Sequence, residues 1–414
     1  MKIHLRFGMH KDIEVIHQAQ DLLDGLVIPA HILAHQTAST AAFVCSLPNH
    51  AYVIDPMTWI LQSPRERHRR EDGSLRPSVG KWCDVIHAGL RSKLTTGSKT
   101  AALAVSDLPN LQEFCEGNLK FQTESVNLGH VDPRAKKYLD RYGTTLATPP
   151  RCVLAPYYQF GAVSDEWYKV SLDAATVTRA LAGEMEVAPV VMCAASLLDS
   201  GSIDQIANDF GAFKRCFLWI DSLNQGIATV EEIKRVRALV GALAKKGCAV
   251  ETLYGGFMMM LMKFDGMSAV SHGILYTQDK AGEQVPGGGG VPERYYIPRF
   301  HDFRSLSQTN LILKKHPELA TGTPTADAVM AGDPDRIFVF ASQPELLRRH
   351  FLEARRGECE ILATKSVPQI IAGLKDAHTK YHASVSRLPN PDAPVTGGDQ
   401  RGLDYLLTWA TAFS

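Results

Sequence analysis

Two aspartates stand where an apolar run stops abruptly: Asp55 in YVIDPMTW and Asp221 in FLWIDSLNQG. Two carboxylates on one face can divide into general acid and base, or into nucleophile and stabiliser of a developing positive charge. Pro56 halts any strand ladder directly after Asp55, an arrangement that also opens turns. Three further runs end on groups that bind or move protons. In VETLYGG, Gly255 and Gly256 would let a planar ligand approach the backbone, and Tyr254 offers a ring and a hydroxyl; a tight strand-to-helix turn uses the same glycines. In SAVSHG, His272 beside Gly273 is a proton donor that titrates near neutrality, or a satisfied core histidine. In YYIPRFHD, His301 precedes Asp302, a pairing that also anchors loops. Tyr157 at the end of CVLAPY joins Trp59, Tyr158, Phe160, Trp219, Tyr276 and Tyr296 near these ends. Those that face a common mouth suit a flat heterocycle, because aromatic walls with a few polar groups are how an extruded or free base is held.

The elements that must position these residues are eight apolar runs: Leu26–Leu33, Tyr52–Asp55, Cys152–Tyr157, Pro189–Cys193, Cys216–Asp221, Val250–Gly256, Ser268–Gly273 and Tyr295–His301. Helical patterns separate them, so they read as buried strands of a (β/α)8 TIM barrel, in which catalytic groups sit at the C-terminal strand ends. Val230–Lys246 is the clearest helix, acidic at its start and basic at its end. Gly256–Phe264, with its run of methionines, predicts a short core helix rather than a cofactor site.

Asp55 and Cys152 are nearly a hundred residues apart, too far for an ordinary barrel connection, which predicts an insertion after the second strand over about 62–150. It opens with Arg65, Arg67, Arg69, Arg70, Arg91 and Lys93, which read either as a solvated face or as a phosphate-contacting patch at the mouth. The barrel with its insertion spans 1–303. Residues 304–414 read as a small C-terminal α/β extension, with strands at Arg336–Ala341 and Glu360–Thr364. Pro389–Asp399 then reads as a loose linker before a final helix from Gln400, and the glycine run Gly287–Gly290 as a lid-like loop.

The 414-residue chain has zero formal net charge, 45% hydrophobic and 21% charged residues. That composition excludes wholesale disorder and gives no global pull toward nucleic acid, so any such contact needs a local patch. Eight cysteines lack CxxC or CxC spacing, and HExxH is absent, so neither a disulfide framework, a metal nor a cofactor is expected. Met1–Gln20 carries charged residues throughout and lacks the apolar core of a signal peptide, and no run is long enough to span a bilayer. A cytoplasmic protein without membrane contact is expected.

The segment YGGFMMMLMKFDGMSAVSHGILY, together with YVIDP and RYYIPRFHDF, resembles barrel proteins related to the tRNA-guanine transglycosylases and their DNA-modifying relatives, over Leu26 to Phe303. In that superfamily a strand-tip aspartate in a D-S-G-G-F context binds the base, and Asp55 is its match. Here Pro56-Met57-Thr58 replaces the small residues, and the zinc-binding CxCxxC is missing, which argues against a tRNA transglycosylase proper. The position of the family's nucleophilic aspartate falls near Ser271-His272, without a carboxylate. The DNA-acting relatives include bacterial defence glycosylases that remove modified bases from phage DNA.

The resemblance therefore implies a DNA glycosylase that cleaves the N-glycosidic bond of a modified base, with DNA favoured over tRNA as partner. Cleavage builds positive charge on the sugar, which a carboxylate can stabilise or attack. Asp221 or Asp55 would stand at the sugar, the other carboxylate at the base or the attacking water, and His272 or Tyr254 would donate to the base. Competing readings are base exchange on DNA or tRNA, and an inactive barrel that only binds nucleic acid. A metabolic lyase or aldolase ranks last, since it needs a reactive lysine and none of the eight strand tips ends in Lys.

Overall fold

The computed structural model describes residues 1–8, 12–47, 51–142, 149–274, 280, 293–320, 322–387 and 402–414. Tyr276, Gly287–Gly290 and Pro389–Asp399 lie outside the described residues. The strands are β1 Lys2–Arg6, β2 Gly25–Pro29, β3 Ala51–Asp55, β4 Val153–Leu154, β5 Val187–Ala188, β6 Val190–Ala194, β7 Arg215–Asp221, β8 Ala249–Thr252, β9 Met267–His272, β10 Arg294–Ile297 and β11 Asp302–Ser305. Seven run parallel in the order β3-β2-β1-β9-β8-β7-β6. The short β4 bridges the two edges. The Arg151 N–H donates to the Tyr52 carbonyl at 2.8 Å, and β4 pairs in parallel with β5, which continues through Pro189 into β6. The result is a (β/α)8 barrel.

Period-two alternation assigns each strand residue to a face. Val27, Val53, Cys152, Leu154, Val190, Met192, Phe217 and Trp219 form the apolar interior, whereas Leu5, Ile28, Ile54, Val191, Leu218 and Val270 pack outward against helices. The N-terminal end of the interior is closed by charge. Glu251, 1% exposed, accepts from both Arg151 nitrogens (2.8 and 2.7 Å) and from Arg215, with His4 at 3.4 Å. Burial opposes the Glu251 charge, but the bonds from Arg151 and the charges around it outweigh burial and lower its pKa.

The sequence reading placed most barrel strands but missed the first. In KIHLR the inward residues are His4 and Arg6, both buried, so polar groups break the apolar run that marks a core strand. The run at Tyr295–His301 is not the eighth barrel strand, which is β9. It forms instead an antiparallel hairpin, β10–β11, and is apolar because the C-terminal helices cover it: Tyr295 stacks on His350 with ring centroids 4.2 Å apart.

Beyond Ser305 the described chain is helical, which corrects the expected α/β extension. RIFVFA forms a 3-10 turn, Pro334–Phe338, running into the helix Val339–Ser342, and EILAT closes the helix Pro344–Thr364. Leu347, Phe351 and Leu362 line one buried face of that helix at helical spacing, a pattern that short apolar runs share with strands. Val230–Lys245, Phe257–Leu261 and Asp404–Phe413 form helices close to where the sequence put them. Within 62–150 the helix Leu111–His130 packs on Thr37–Cys45 and Glu166–Leu181 as an outer barrel helix, so the added material is chiefly the turns and short helices before it.

Candidate active site

At the C-terminal end of β3 the chain turns sharply. The Asp55 Oδ1 accepts the Met57 N–H at 2.9 Å, and Met57 takes a left-handed conformation, φ 57°, a region that costs a non-glycine residue on the order of 1 kcal/mol. The 3-10 turn Thr58–Gln62 follows and carries Trp59 over the mouth. Thr58 Oγ1 donates to the Tyr157 carbonyl (2.7 Å) and accepts its N–H (2.8 Å), while the Gln62 amide makes the same exchange with Gln159. These bonds fix the loops after β3 and β4 to each other, and with them Asp55 to Tyr157.

Asp55 itself is fully buried. Arg6, from the tip of β1, donates Nη2 to its Oδ2 at 2.5 Å, and the Tyr157 hydroxyl donates to Oδ1 at 2.8 Å. The Arg6 guanidinium lies 4.6 Å from the centre of the Tyr254 ring. Tyr254 packs on Trp219 at 4.7 Å, Trp219 on Trp59 at 4.9 Å, and Tyr157 on Trp219 at 6.5 Å. Four rings thus cluster beside a carboxylate. Two donors of this mouth, Arg6 Nη1 and Trp59 Nε1, are buried without a hydrogen-bond partner among the described residues. Buried donors are ordinarily satisfied, so both favour a ligand that brings acceptors.

Lys280 enters the same space. Its Nζ is 4.7, 5.5 and 5.4 Å from the rings of Trp59, Trp219 and Tyr254 and 3.4 Å from the Tyr254 hydroxyl, and its carbonyl accepts the Trp219 indole N–H at 2.9 Å. Burial, and next the Arg6 guanidinium, bring this amine down to about 7 against the opposing pull of Asp55. His31, just past the end of β2, has Nδ1 2.8 Å from the Met57 sulfur; burial and then Arg6 and Lys280 lower it to about 4.

Asp55, Tyr157 and Tyr254 therefore come together as the sequence reading expected. Asp221 stands on the rim at the tip of β7, where it accepts from the Gln159 amide at 2.8 Å, and Ser222 after it is again left-handed, φ 57°. Asp221, Ser222, Asn224 and Glu232 line a cleft of about 200 Å³. A larger one, about 800 Å³, runs past Gln62, Gln159 and Asp199.

His272 lies outside the mouth. It shares the outer face of β9 with Val270, its ring meets Phe351 edge-on at 5.2 Å, and burial followed by Arg355 brings it down to about 3. Gly273 beside it offers its carbonyl to His272 Nδ1 at 3.0 Å. Gly255 is glycine for packing, since a Cβ there would sit 2.8 Å from Met259 Cβ, and Gly256 opens the helix Phe257–Leu261. His301 is in the hairpin turn, stacked on Phe257 with centroids 3.4 Å apart and bonded to Glu358 at 2.6 Å, where Tyr296 and Arg355 also donate. It faces a separate cavity of about 410 Å³ under the C-terminal helices.

The basic residues of the insertion divide. Arg65 is buried and donates to the carbonyls of Lys93, Ala101 and Ala102; Arg69 is buried and donates to those of Leu94 and Thr96. Both hold the segment 93–102 in place and are not free for phosphate. Arg67 is half-buried, and Arg91 is paired with Asp84 through two bonds. Arg70 and Lys93 are exposed, as are Arg76 and Lys81 nearby.

Arg6, His31 and Lys280 escaped the sequence reading. Strand alternation in KIHLRF would have revealed Arg6, and the parity of Val270 and His272 would have removed His272. No local signal marks Lys280. Although no metal site was expected, His378, His382 and Asp404 bring ligand atoms within 4.8 Å of one another on the last two helices. Among the described residues no helix is long and apolar enough to cross a membrane.

No protein-family model matches the chain, and no curated protein matches it either. Among solved structures it is similar to D-psicose 3-epimerase with D-tagatose from Clostridium cellulolyticum H10, at 12% identity over 64% of this chain and 89% of that one, with a TM-score of 0.27.

Proposed function

We propose that the barrel mouth binds a nucleobase extruded from DNA and cleaves its N-glycosidic bond, making the protein a DNA glycosylase for a modified base. The observation that carries this reading is the buried Asp55 carboxylate beside four aromatic rings, with Arg6 Nη1 and Trp59 Nε1 unpartnered among the described residues. A base offers stacking faces to the rings and carbonyl or ring-nitrogen acceptors to the donors. Extrusion costs a few kcal/mol, and stacking on aromatic side chains returns about 1–3 kcal/mol per base.

As the glycosidic bond lengthens, positive charge grows on the sugar and negative charge on the base. Asp55 stabilises the first; Arg6 and the Tyr254 hydroxyl stabilise the second. Asp221 on the rim, which accepts from the Gln159 amide, orients the attacking water in this scheme. His272 has no part in this scheme. The exposed Arg70 and Lys93 are the phosphate contacts that remain from the basic insertion.

The test is incubation of the protein with normal and hypermodified DNA, with released base identified by mass spectrometry. Release by the wild type that is lost in Asp55→Asn is expected. No base from any DNA, or full release by Asp55→Asn, would overturn the reading.

A further inference from the structure

We propose that Lys280 is the nucleophile of this cleavage, attacking C1′ of the extruded nucleotide to form a covalent imine and leave an abasic site. The inference rests on the glycosylase reading and adds to it a residue and an intermediate. It starts from a placement unusual for lysine, an amine brought from beyond β9 into contact with three aromatic rings, where solvation of the charge is lost. Lysine amines become nucleophiles when desolvated or set beside another cation, and Lys280 meets both conditions. The groups facing it are Arg6 from β1, His31 after β2, Asp55 from β3 and Tyr254 after β8. Arg6 disfavours the ammonium, Asp55 favours it, and burial decides for the free amine near neutrality.

The side chains at the end of β9, Ser271 and His272, are committed elsewhere. Ser271 Oγ donates to the Thr252 carbonyl, and His272 faces the outer helix. Lys280, eight residues further on, brings an amine to the aromatic rings. Nζ is within 5.5 Å of all three ring centres, so a nucleotide held against these rings would come within reach of the amine.

The step balances. The Nζ lone pair forms a bond to C1′ as the C1′–N bond breaks, and its electron pair leaves on the base. One amine proton passes to the departing base. The remaining N–C1′ link then expels O4′, which takes the second proton, and an open-chain imine results; a solvent proton makes it the iminium. Asp55 stabilises the cationic states. Water hydrolyses the imine to the aldehyde abasic site and regenerates the amine, or loss of the C2′ proton and the 3′-phosphate cuts the strand.

The experiment uses the full chain with two probes: DNA from which the wild type releases a base, and an oligonucleotide carrying a preformed abasic site. Each is incubated with sodium borohydride, which reduces an imine to a stable amine, and the cross-linked peptide is mapped by mass spectrometry. Reduced adducts on Lys280 with both probes are expected. Base release should fall by more than about a hundredfold in Lys280→Ala, and recover in Lys280→Cys after aminoethylation, which restores an amine at that position. Normal base release by Lys280→Ala, or an adduct that maps to another lysine, would overturn the role of Lys280 and leave the glycosylase reading standing. An absence of base release from every DNA by the wild type would overturn both.

Discussion

Replacing Arg6 by Met removes the guanidinium that pairs with Asp55 while keeping most of the apolar stem. The two side chains are 7% and 0% exposed and meet at 2.5 Å, so solvent cannot take over the lost partner. Asp55 would keep the Tyr157 hydroxyl and the Met57 N–H, two of its three bonds, but no countercharge on β1. Breaking one side of a buried pair costs about 3–5 kcal/mol, because the remaining charge stays in a poorly polarisable site. Asp55→Asn should cost a similar amount, since Arg6 then stands uncompensated near Lys280. The double variant, Arg6→Met with Asp55→Asn, buries no net charge and should lose only about 1–2 kcal/mol relative to wild type. Urea unfolding at pH 7 reads all three, with an unchanged slope showing that the same surface unfolds. A coupling of several kcal/mol is expected. Losses that simply add, to within about 0.5 kcal/mol, would show that Arg6 and Asp55 do not depend on each other and would refute the description of the mouth.

Four buried histidines, His4, His68, His272 and His350, have pKa values lowered by burial to about 4, 4, 3 and 4. The unfolded chain binds these protons below about pH 6.5 and the folded chain does not, so stability is full above 6.5 and falls with acid by up to about 5 kcal/mol per pH unit. A circular-dichroism titration should show cooperative unfolding near pH 5, shifted to lower pH in His272→Phe; a fold intact to pH 3.5 would contradict this. If the neutral amine of Lys280 attacks, single-turnover base release should rise about tenfold per unit up to pH 7 and level off above 8, and a rate falling through that range would exclude it. Arg70→Ala should reduce the slope of log affinity against log salt for duplex DNA by about 0.9, whereas Arg65→Ala should destabilise the insertion and leave that slope unchanged. Trp219→Ala should weaken binding of the released free base by about 10- to 100-fold in calorimetry, in line with one lost stacking partner.

The strand tips were legible because an apolar run that ends in a polar residue marks both a strand and its exit from the core. Asp55, Tyr157 and Tyr254 were found in that way. The first strand was hidden by its own polarity: His4 and Arg6 point inward, so the run most involved with charge looked least like core. His272 stands at a tip yet faces away from the mouth, and Val270 two residues before it already fixes that face as outer. Tyr295–His301 looked like a barrel strand because burial under helices and burial in a sheet leave the same apolar composition. The arginines at 65 and 69 show the converse, since charge in sequence does not distinguish a guanidinium that closes backbone carbonyls from one that meets solvent. Lys280 reaches the mouth only through closure of the barrel, and no local pattern encodes that.

Everything proposed for this mouth depends on cleavage of a base from DNA at Asp55. Its most direct measurement is the mass spectrum of small molecules released from hypermodified DNA by the wild type and by Asp55→Asn, with both proteins verified as folded. A free base with the first and none with the second is expected. Identical spectra for the two proteins, whether both hold the base or both lack it, would contradict the claim.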